Sequence, residues 1–492
     1  MPGVVISTAV RSGPTGNTTR ESSQAFFAGI TERGPADQAS KVNSMEEYEA
    51  LYGGYVSNGY LHDTVKAFFE EGGTQCYVAR VTGANPVTSY IELDDVNADS
   101  ALQLTANGPG TWVDDLNYEV VIGVAANSSA LRLYWEGTMV YNTGDCLSLA
   151  QMVGRINTSA IASRYVTAEI TGTLMPAPVA STAFPTTNAD NSVVSDGGAP
   201  GDNQYSAALD LFLNSFGTGV VGCPETTSAV VRDALIAHAN TNNRMSIHHY
   251  PAGTTAVTAG ANGRSEALGA ANGEHAAVFY PWVYVPTSTP GINRLIPPLG
   301  YAAGVRSRAH NQVGPQQPGA GIISNARYVN GIEFALDKSA GDALDEAHVN
   351  AIRTINNTIR IYGARSLSSD TSNFRYMTAQ DLVNHVVVEA NRTLEDLLFS
   401  VIDGRNNIFA SVEAKLIAVL EPLRLAGALY EAFDANGKRI DYGYTVKCDT
   451  SLNPVTQLAD GLIKAKVGIR VSSVGDKIEV DIVKSNLTNS VV

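Results

Sequence analysis

Strand-like segments near both ends constrain the fold of this chain more than any other feature of its sequence. Val4, Val5 and Ile6 form a short apolar run, and the polar residues that follow are rich in Gly, Ser and Thr, which predicts an extended arm over residues 1–20. Near the other end, two segments alternate between apolar and polar residues, so that the apolar side chains of each share one strand face. These side chains are Val467, Ile469 and Val471 in the first segment and Ile478, Val480 and Ile482 in the second.

Such terminal strands need a partner. An unpaired strand edge exposes N–H and C=O groups beside apolar side chains, and it invites aggregation unless another strand covers it. A neighbouring subunit can cover the edge by adding its own strand to the sheet. The sequence therefore predicts a polymer-forming subunit whose terminal strands are exchanged between copies.

Length and charge narrow the possible classes of protein. A chain of 492 residues exceeds what one hydrophobic core usually covers, which predicts roughly two to four domains. The formal net charge of −15 argues against nonspecific binding to nucleic acid. The segment from Val386 onward holds 12 basic and 14 acidic residues and is nearly neutral, so most of the negative charge precedes it. We expect the neutral segment to lie against another protein surface.

The cysteines and the N-terminus favour a reducing compartment and argue against a metal site, a disulfide framework and a membrane anchor. The cysteines are widely spaced and form no metal motif or disulfide framework, so we expect buried free thiols in a reducing compartment. They are Cys76, Cys146, Cys223 and Cys448. The sequence shows no signal peptide and no apolar run of the roughly 18 residues that a membrane helix requires. We expect a soluble protein with no membrane insertion, no cofactor and no metal.

Alternating strand and helix patterns predict an α/β body. An apolar run over residues 24–30 predicts a buried strand, and Ser44 with Glu47 three residues later forms a capping box for a short helix. An apolar stripe over residues 61–69 predicts a helix, and residues 75–81 predict the next strand. This order of elements is the beginning of an α/β domain.

Composition changes at about residue 90. Residues 91–190 are rich in Thr, Val, Asn, Pro and Gly, which predicts a β-rich insertion, and the α/β pattern resumes after it. We expect further strands over residues 219–221, 245–249 and 276–285, and helices over residues 228–240, 345–361, 378–401 and 408–420.

A dinucleotide-binding pattern, GxGxxG, is formed by Gly217, Gly219 and Gly222. The pattern runs through a predicted strand instead of following it, and Pro224 stands where a helix should begin on the pyrophosphate. We therefore interpret these residues as structural turn glycines.

A second pattern, Asp95-x-Asn97-x-Asp99, resembles the beginning of a calcium-binding loop. Ser100 and Ala106 stand where such a loop requires Gly and a bidentate Glu, so we interpret the segment as a solvated acidic turn.

Candidate catalytic groups are sparse. His248 and His249 are adjacent in a predicted strand, so they face opposite sides and cannot bind one metal ion together. The sequence has neither a GxSxG elbow nor a P-loop, although a triad assembled only in space stays open. We predict that the chain is not an enzyme.

A series of short motifs runs in order along nearly the whole chain. It begins with PGVVIS, AFFAGITERGP, Tyr52-Gly53-Gly54 and VKAFFEEGGTQCYVARV, and continues with LTANGPGTWVDDL, SDGG, IPPLGYAAGV, GARSLSSD and CDTSLNP. In this order the motifs resemble the contractile tail sheath proteins of bacteriophages, a family shared with tailocins and contractile injection systems. The family's Ala-x-x-Pro-Gly-Thr-Trp segment is matched at residues 106–112, but Val113-Asp114 stands where the family usually has Gly-Asn.

The resemblance implies a multidomain α/β fold. Its parts would be an N-terminal arm, a discontinuous α/β body, an inserted β-rich outer domain, and a C-terminal α+β domain whose sheet is completed by strands from neighbouring subunits. The corresponding residues are 1–20 for the arm, 21–90 and 191–375 for the body, 91–190 for the insertion and 376–492 for the C-terminal domain.

The resemblance also implies partners and a location. The chain would form a helical homo-oligomer of stacked rings around an inner tail tube, with baseplate and tail terminator proteins as further partners. This sheath would belong to a virion tail assembled in the cytoplasm of an infected bacterium, and its contraction would drive the tube through a target cell envelope.

Two other interpretations stay open at this point. One is a soluble, hydrolase-like α/β enzyme with an accessory β domain. The other is a different self-assembling virion component such as the tail tube, although a tube subunit would normally be much shorter.

Overall fold

A computed structural model describes residues 21–402 and 404–476 of the chain. The remaining residues lie outside the described part, and they include several of the predicted exchange residues: Val4, Val5, Ile6, Ile478, Val480 and Ile482.

The described residues form strands and helices throughout. The strands are β1 (Ala25–Gly29), β2 (Ser40–Val42), β3 (Cys76–Arg80), β4 (Tyr90–Asp94), β5 (Ser100–Ala106), β6 (Leu116–Ile122), β7 (Ser129–Trp135), β8 (Thr138–Asn142), β9 (Val166–Ile170), β10 (Val179–Ala183), β11 (Val220–Gly222), β12 (Met245–His249), β13 (Ala276–Tyr280), β14 (Val283–Pro286), β15 (Asn293–Ile296), β16 (Gly331–Ile332), β17 (Val349–Ile355), β18 (Thr358–Tyr362), β19 (Ala432–Phe433), β20 (Arg439–Asp441), β21 (Tyr444–Lys447) and β22 (Lys466–Ile469). The helices are α1 (Met45–Tyr52), α2 (Leu61–Glu70), α3 (Leu149–Thr158), α4 (Asp202–Asp210), α5 (Ala229–Thr241), α6 (Ala256–Gly269), α7 (Leu299–Gln312), α8 (Lys338–Glu346), α9 (Met377–Leu394), α10 (Asn407–Leu425) and α11 (Val455–Ala459).

The body is a sheet with helices on both faces. The strand order is β18-β17-β13-β12-β11-β1-β3-β2, with parallel inner neighbours and antiparallel strands at the two edges. β1 is buried along its whole length, as expected of a parallel strand covered on both faces. Phe27 packs with α2 and α7, whereas the adjacent Phe26 packs with α4 and α5. The three layers therefore follow from the alternation of side chains along each buried strand.

The first helix begins where the capping box predicts. The Ser44 side chain accepts the Glu47 N–H over 3.2 Å, and the Glu47 carboxylate accepts the Asn43 N–H over 2.8 Å. The first bond satisfies a donor that the first helical turn leaves without a partner inside the helix, and the second ties the residue before the N-cap to the same turn.

The predicted helix over residues 345–361 is wrong. The structure ends α8 at Glu346 and forms the hairpin β17–β18 instead. Asn356 and Asn357 have φ angles of 50° and 62°, the conformation of a tight hairpin turn that asparagine tolerates well. The run of β-branched side chains on both sides of this turn favours strands over a helix.

The predicted single strand over residues 276–285 is two strands. β13 ends at Tyr280 in the main sheet, and β14 begins at Val283 in a separate sheet with β15 and β16. Pro281, which has no N–H to continue a ladder, stands between them.

The inserted segment has its own core. One sheet has the order β10-β6-β7-β8 and another the order β4-β5-β9, and α3 packs with them around Trp112, Leu131 and Met152. The chain enters and leaves the insertion at adjacent points, since the Gly83 N–H donates to the Asp196 carbonyl over 2.7 Å and Val87 bridges Ser195.

The C-terminal part is built on α9 and α10, which pack side by side, and β21 packs on α10. Its strands form the pairs β19–β20 and β21–β22. Leu382 of α9 and Leu420 of α10 lie in one apolar cluster, and Phe409 and Val412 of α10 lie in another. None of the described helices combines the length and the apolar character needed to cross a lipid bilayer.

Candidate assembly site: the open edge of the C-terminal hairpin

The outer edge of the pair β21–β22 is formed by β22, which contains Val467 and Ile469, two of the residues predicted to be exchanged between subunits. Tyr444 lies opposite Ile469, and Val446 lies opposite Val467. The Arg470 N–H donates to the Gly443 carbonyl over 2.7 Å, which places Arg470 in a hydrogen-bonded pair. Hydrogen-bonded and non-hydrogen-bonded pairs alternate along an antiparallel ladder, so the backbone groups of Val467 and Ile469 point away from β21. Among the described residues, β21 is the only strand paired with β22.

The apolar side chains of this hairpin share one face. Tyr444, Val446, Ile469 and Val471 pack against the cluster formed by α9 and α10, while Val467 is 36% exposed. The helices thus cover the face of the hairpin, and no other strand in the described part of the chain covers its outer edge. The exchange of these residues between subunits stays a prediction.

Two carboxylates of α10 hold the hairpin in place. The Tyr444 hydroxyl donates to Glu421 Oε2 over 3.0 Å, and the Cys448 N–H donates to Glu413 Oε1 over 2.7 Å. A hydrogen bond from Arg424 is the main reason why the pKa of Glu421 falls to about 2. Because Glu421 is ionised throughout the neutral range, this anchor of the hairpin does not titrate there.

Sequence reasoning missed β21 and its anchors. The alternation of Tyr442, Tyr444 and Val446 is a strand signal that lies about 20 residues before β22, and it could have identified the partner strand. Glu413 and Glu421 carry no comparable local signal, because only the tertiary fold brings them to the hairpin.

The glycines of the GxGxxG pattern are structural. Gly217 has a φ of +87°, and a Cβ on Gly219 would lie 2.5 Å from the Gln24 carbonyl oxygen. The pattern overlaps β11 and is not followed directly by a helix, so the predicted role as turn and packing residues fits the geometry.

The calcium-like segment is a closed turn. Asp95 Oδ1 accepts the N–H groups of Asn97 and Asp99 over 2.7 and 3.2 Å, so this oxygen already has two donors. Within residues 21–402 and 404–476, no group of three or more His, Cys, Asp or Glu side chains could hold a metal ion.

The best hydroxyl–imidazole pair has the wrong geometry for general-base catalysis. His248 Nε2 lies 2.9 Å from the Ser246 hydroxyl, which donates its own proton to the His275 carbonyl over 2.8 Å. The hydroxyl can therefore only accept from the imidazole, and a general base must instead accept from the nucleophile. Burial lowers the pKa of His248 to about 3 and that of His249 to about 4. The adjacent cavity of about 30 Å³ has room for about one water molecule and none for a substrate.

The four cysteines are buried thiols, as predicted: Cys76, Cys146, Cys223 and Cys448. Burial raises the pKa of Cys76 and Cys223 well above the ordinary value, so neither is poised as a nucleophile.

Comparison with known proteins gives matches to solved structures. No family model matches the sequence, and no curated protein matches it. The helical sheath of the anti-feeding prophage in its contracted state is similar with a TM-score of 0.56 and 14% identity, covering 99% of both chains. The contracted PVC sheath complex, from an extracellular contractile injection system, matches with a TM-score of 0.56 and 15% identity over 99% of this chain and 98% of that one. A sheath tail protein from Listeria innocua matches with a TM-score of 0.60 and 12% identity over 87% and 89% of the two chains.

The chain has the contractile-sheath fold.

This fold confirms the predicted resemblance at the level of architecture and the mixed α/β class. The solved structures that share this fold are sheath components, and the absence of enzymatic activity stays a prediction for this chain. At 12 to 15% identity the similarity concerns the fold alone.

Proposed function

We propose that the chain is the subunit of a contractile sheath that polymerises helically around an inner tube and contracts to drive the tube through a target cell envelope. The observation that carries this proposal is the edge of β22 that no other described strand covers, on a hairpin that β21 and Cys448 bind to α10 by hydrogen bonds, within a sheath fold. A strand edge of this kind is a ready template for a strand from another copy.

The exchanged strands come from the chain ends. Residues 1–20 extend at most about 66 to 72 Å, which suffices to reach an adjacent subunit. Val4, Val5 and Ile6 from one neighbour, and Ile478, Val480 and Ile482 from another, would extend the sheet formed by β21 and β22. Backbone hydrogen bonds of this type tether subunits while the contacts between their bodies change, so the lattice can pass between two packings without dissociating.

The energy for contraction is stored in the extended lattice in this proposal. Each subunit would exchange one set of body contacts for a more favourable set, and the tethers would pass the change to the next ring. The partners are further copies of the chain, the inner tube, a baseplate and a terminator, and neither nucleic acid nor membrane is a direct partner. We place the assembly in a contractile tail built in a bacterial cytoplasm; expulsion of a genome applies only where the tail belongs to a phage.

Deletion of the chain ends tests the proposal. We expect variants lacking residues 1–19 or residues 477–492 to keep a folded body but to form no tubes, because each removes a set of exchange strands. The measurement is negative-stain microscopy together with a thermal melt. A matched control is Val257→Ser, since Val257 is 84% exposed on α6, far along the chain from the hairpin. Normal tubes from both deletion variants would contradict the proposal.

A single substitution tests the strand edge itself. Val467→Pro removes an N–H that points away from β21, so the hairpin keeps its internal hydrogen bonds while the outer edge loses a donor. We expect the melting temperature to change little and tube formation to be blocked. Val467→Thr is the matched control, because it keeps the N–H and should polymerise. Equal polymerisation of both variants would show that the outer edge of β22 takes no strand.

A further inference from the structure

The beginning of the described chain is fixed by buried side chains of α7. Arg306 Nη1 donates to the Ser22 carbonyl over 2.7 Å, and His310 Nδ1 lies 3.0 Å from the same oxygen. Arg306 also forms a two-pronged pair with the Asp381 carboxylate of α9. These four residues are at most 3% exposed.

This cluster resists separation because it is out of contact with water. Burial raises the pKa of Asp381, and the Arg306 guanidinium opposes that rise. Pulling Arg306 away would leave the carboxylate buried without its charged partner, which is strongly unfavourable. Glu21 adds a pair to Arg392, which also belongs to α9.

The other end of the described chain is fixed at the beginning of α9. The Tyr376 hydroxyl donates to Asp476 Oδ2 over 2.6 Å, and Arg365 and Arg375 each bring a guanidinium nitrogen to 3.5 Å from the same oxygen. Tyr376 immediately precedes α9, which begins at Met377. Burial and the Asp476 hydrogen bond together raise the pKa of Tyr376 to about 12, so its hydroxyl stays a donor at neutral pH.

We propose that residues 376–381 are a positioning segment that fixes the exit points of both chain ends and couples them mechanically. Tyr376 holds the C-terminal exit and Asp381, through Arg306, holds the N-terminal exit. Tyr376 directly precedes α9, and the five helical residues that end at Asp381 span only about 7.5 Å along the helix axis, so the two anchors lie within two helical turns of each other. A displacement of one chain end is therefore transmitted to the other through α9.

The consequence for assembly rests on the proposed function. If both ends are exchanged with neighbours, a subunit that receives a pull at one end passes it to the opposite neighbour through residues 376–381, without first deforming the eight strands of the described body sheet.

Hydrogen exchange on the unpolymerised chain tests the coupling. Tyr376→Phe removes only the hydroxyl that binds Asp476. We expect exchange in residues 470–476 to rise about tenfold, the effect of losing one hydrogen bond to a charged group. We also expect exchange in residues 21–25 to rise about threefold, although Tyr376 does not touch them. Arg306→Gln should give the reverse pattern, with the larger effect at residues 21–25.

Matched controls separate coupling from general loosening. Tyr328→Phe removes a hydroxyl bonded to the Pro286 carbonyl in the body. Arg308 lies on the same helix as Arg306, and Arg308→Gln removes a buried guanidinium that donates to the carbonyls of Glu71 and Ile323. Neither control should change exchange at residues 21–25 or 470–476.

The outcomes are distinguishable. The proposal is overturned if Tyr376→Phe affects only residues 470–476, or if the controls give the same pattern as the test variants. Should Arg306→Gln fail to fold, Glu21→Gln provides the N-terminal perturbation, because the Glu21–Arg392 pair is partly exposed. Because exchange is measured without polymer, a failure of the wild-type chain to form tubes would contradict the proposed function and leave the coupling result intact.

Discussion

The Glu225 carboxylate lies where the ends of β1 and β11 meet the beginning of α2. Its Oε1 accepts the N–H groups of Tyr60 and Leu61 over 3.0 and 2.9 Å and that of Ile30 over 3.4 Å. Its Oε2 is buried and has no hydrogen-bond partner among the described residues, although part of Glu225 reaches the surface. In doubly wound α/β folds this crevice, at the carboxyl ends of the strands, is the usual place for a ligand. Here a side chain of the protein itself occupies the helix N-terminus.

The pKa of Glu225 predicts a pH dependence of stability. Burial raises this pKa from 4.5 to about 7. Between these values the folded chain binds a proton that the unfolded chain has released, so the contribution of Glu225 to stability is full below about pH 4.5 and is lost as pH rises to about 7. Relative to Glu225→Gln, which does not titrate, we expect the wild-type free energy of unfolding to fall by up to about 3 kcal/mol over this range. Guanidinium unfolding of both proteins at about pH 5 and about pH 7 measures the difference, and parallel pH profiles would contradict the assignment.

At the scale of elements, the hairpin β17–β18 shows where sequence patterns mislead. Val349, Ile352 and Ile355 recur at helical spacing, yet the positive φ angles of Asn356 and Asn357 turn the chain back on itself. The free-energy cost of a positive φ depends on the side chain. For a residue that has a Cβ but no polar group able to bond the nearby backbone, the left-handed conformation costs about 1 kcal/mol or more.

The turn gives a direct prediction for stability. We expect Asn357→Ala to lower the free energy of unfolding by about 1 kcal/mol, because alanine adopts a positive φ less readily than asparagine. Asn357→Gly should be neutral or slightly stabilising, since glycine suits this turn position. Thermal melts of the two variants provide the measurement, and a loss of stability in the glycine variant as large as in the alanine variant would rule out the φ angle as the cause.

Elements with a local sequence signal could be predicted, whereas contacts between residues distant in sequence could not. The buried strands and capped helices of the body follow from local signals such as the AFFAG run and the Ser44–Glu47 box, and the structure places β1, β3, β12 and α1 accordingly. The strand over residues 466–471 was also predictable from its alternation. Its partner β21, the anchors Glu413 and Glu421, and the cluster around Asp381 depend on residues that are distant in sequence, and only packing brings them together.

At the scale of the whole chain, the distribution of charge bears on the proposed assembly. The net charge is −15, while the segment from residue 386 onward contains nearly equal numbers of acidic and basic residues, so in the proposed sheath the acidic bodies of neighbouring copies would repel one another. We expect tube formation to become easier as salt is raised, because the Debye length shrinks from about 30 Å at 0.01 M to about 10 Å at 0.1 M. Light scattering as a function of protein concentration at the two salt levels measures the critical concentration. A rise of that concentration with salt would indicate that attractive ion pairs dominate the contacts.

The adjacent entry and exit of the insertion, at Gly83 and Asp196, have a practical consequence. A module joined to the body by two neighbouring stems, with an apolar core of its own, can be exchanged for another compact module without stretching the parent sheet. In the proposed sheath, this module can therefore diversify, or be replaced by design, while the body sheet stays the same.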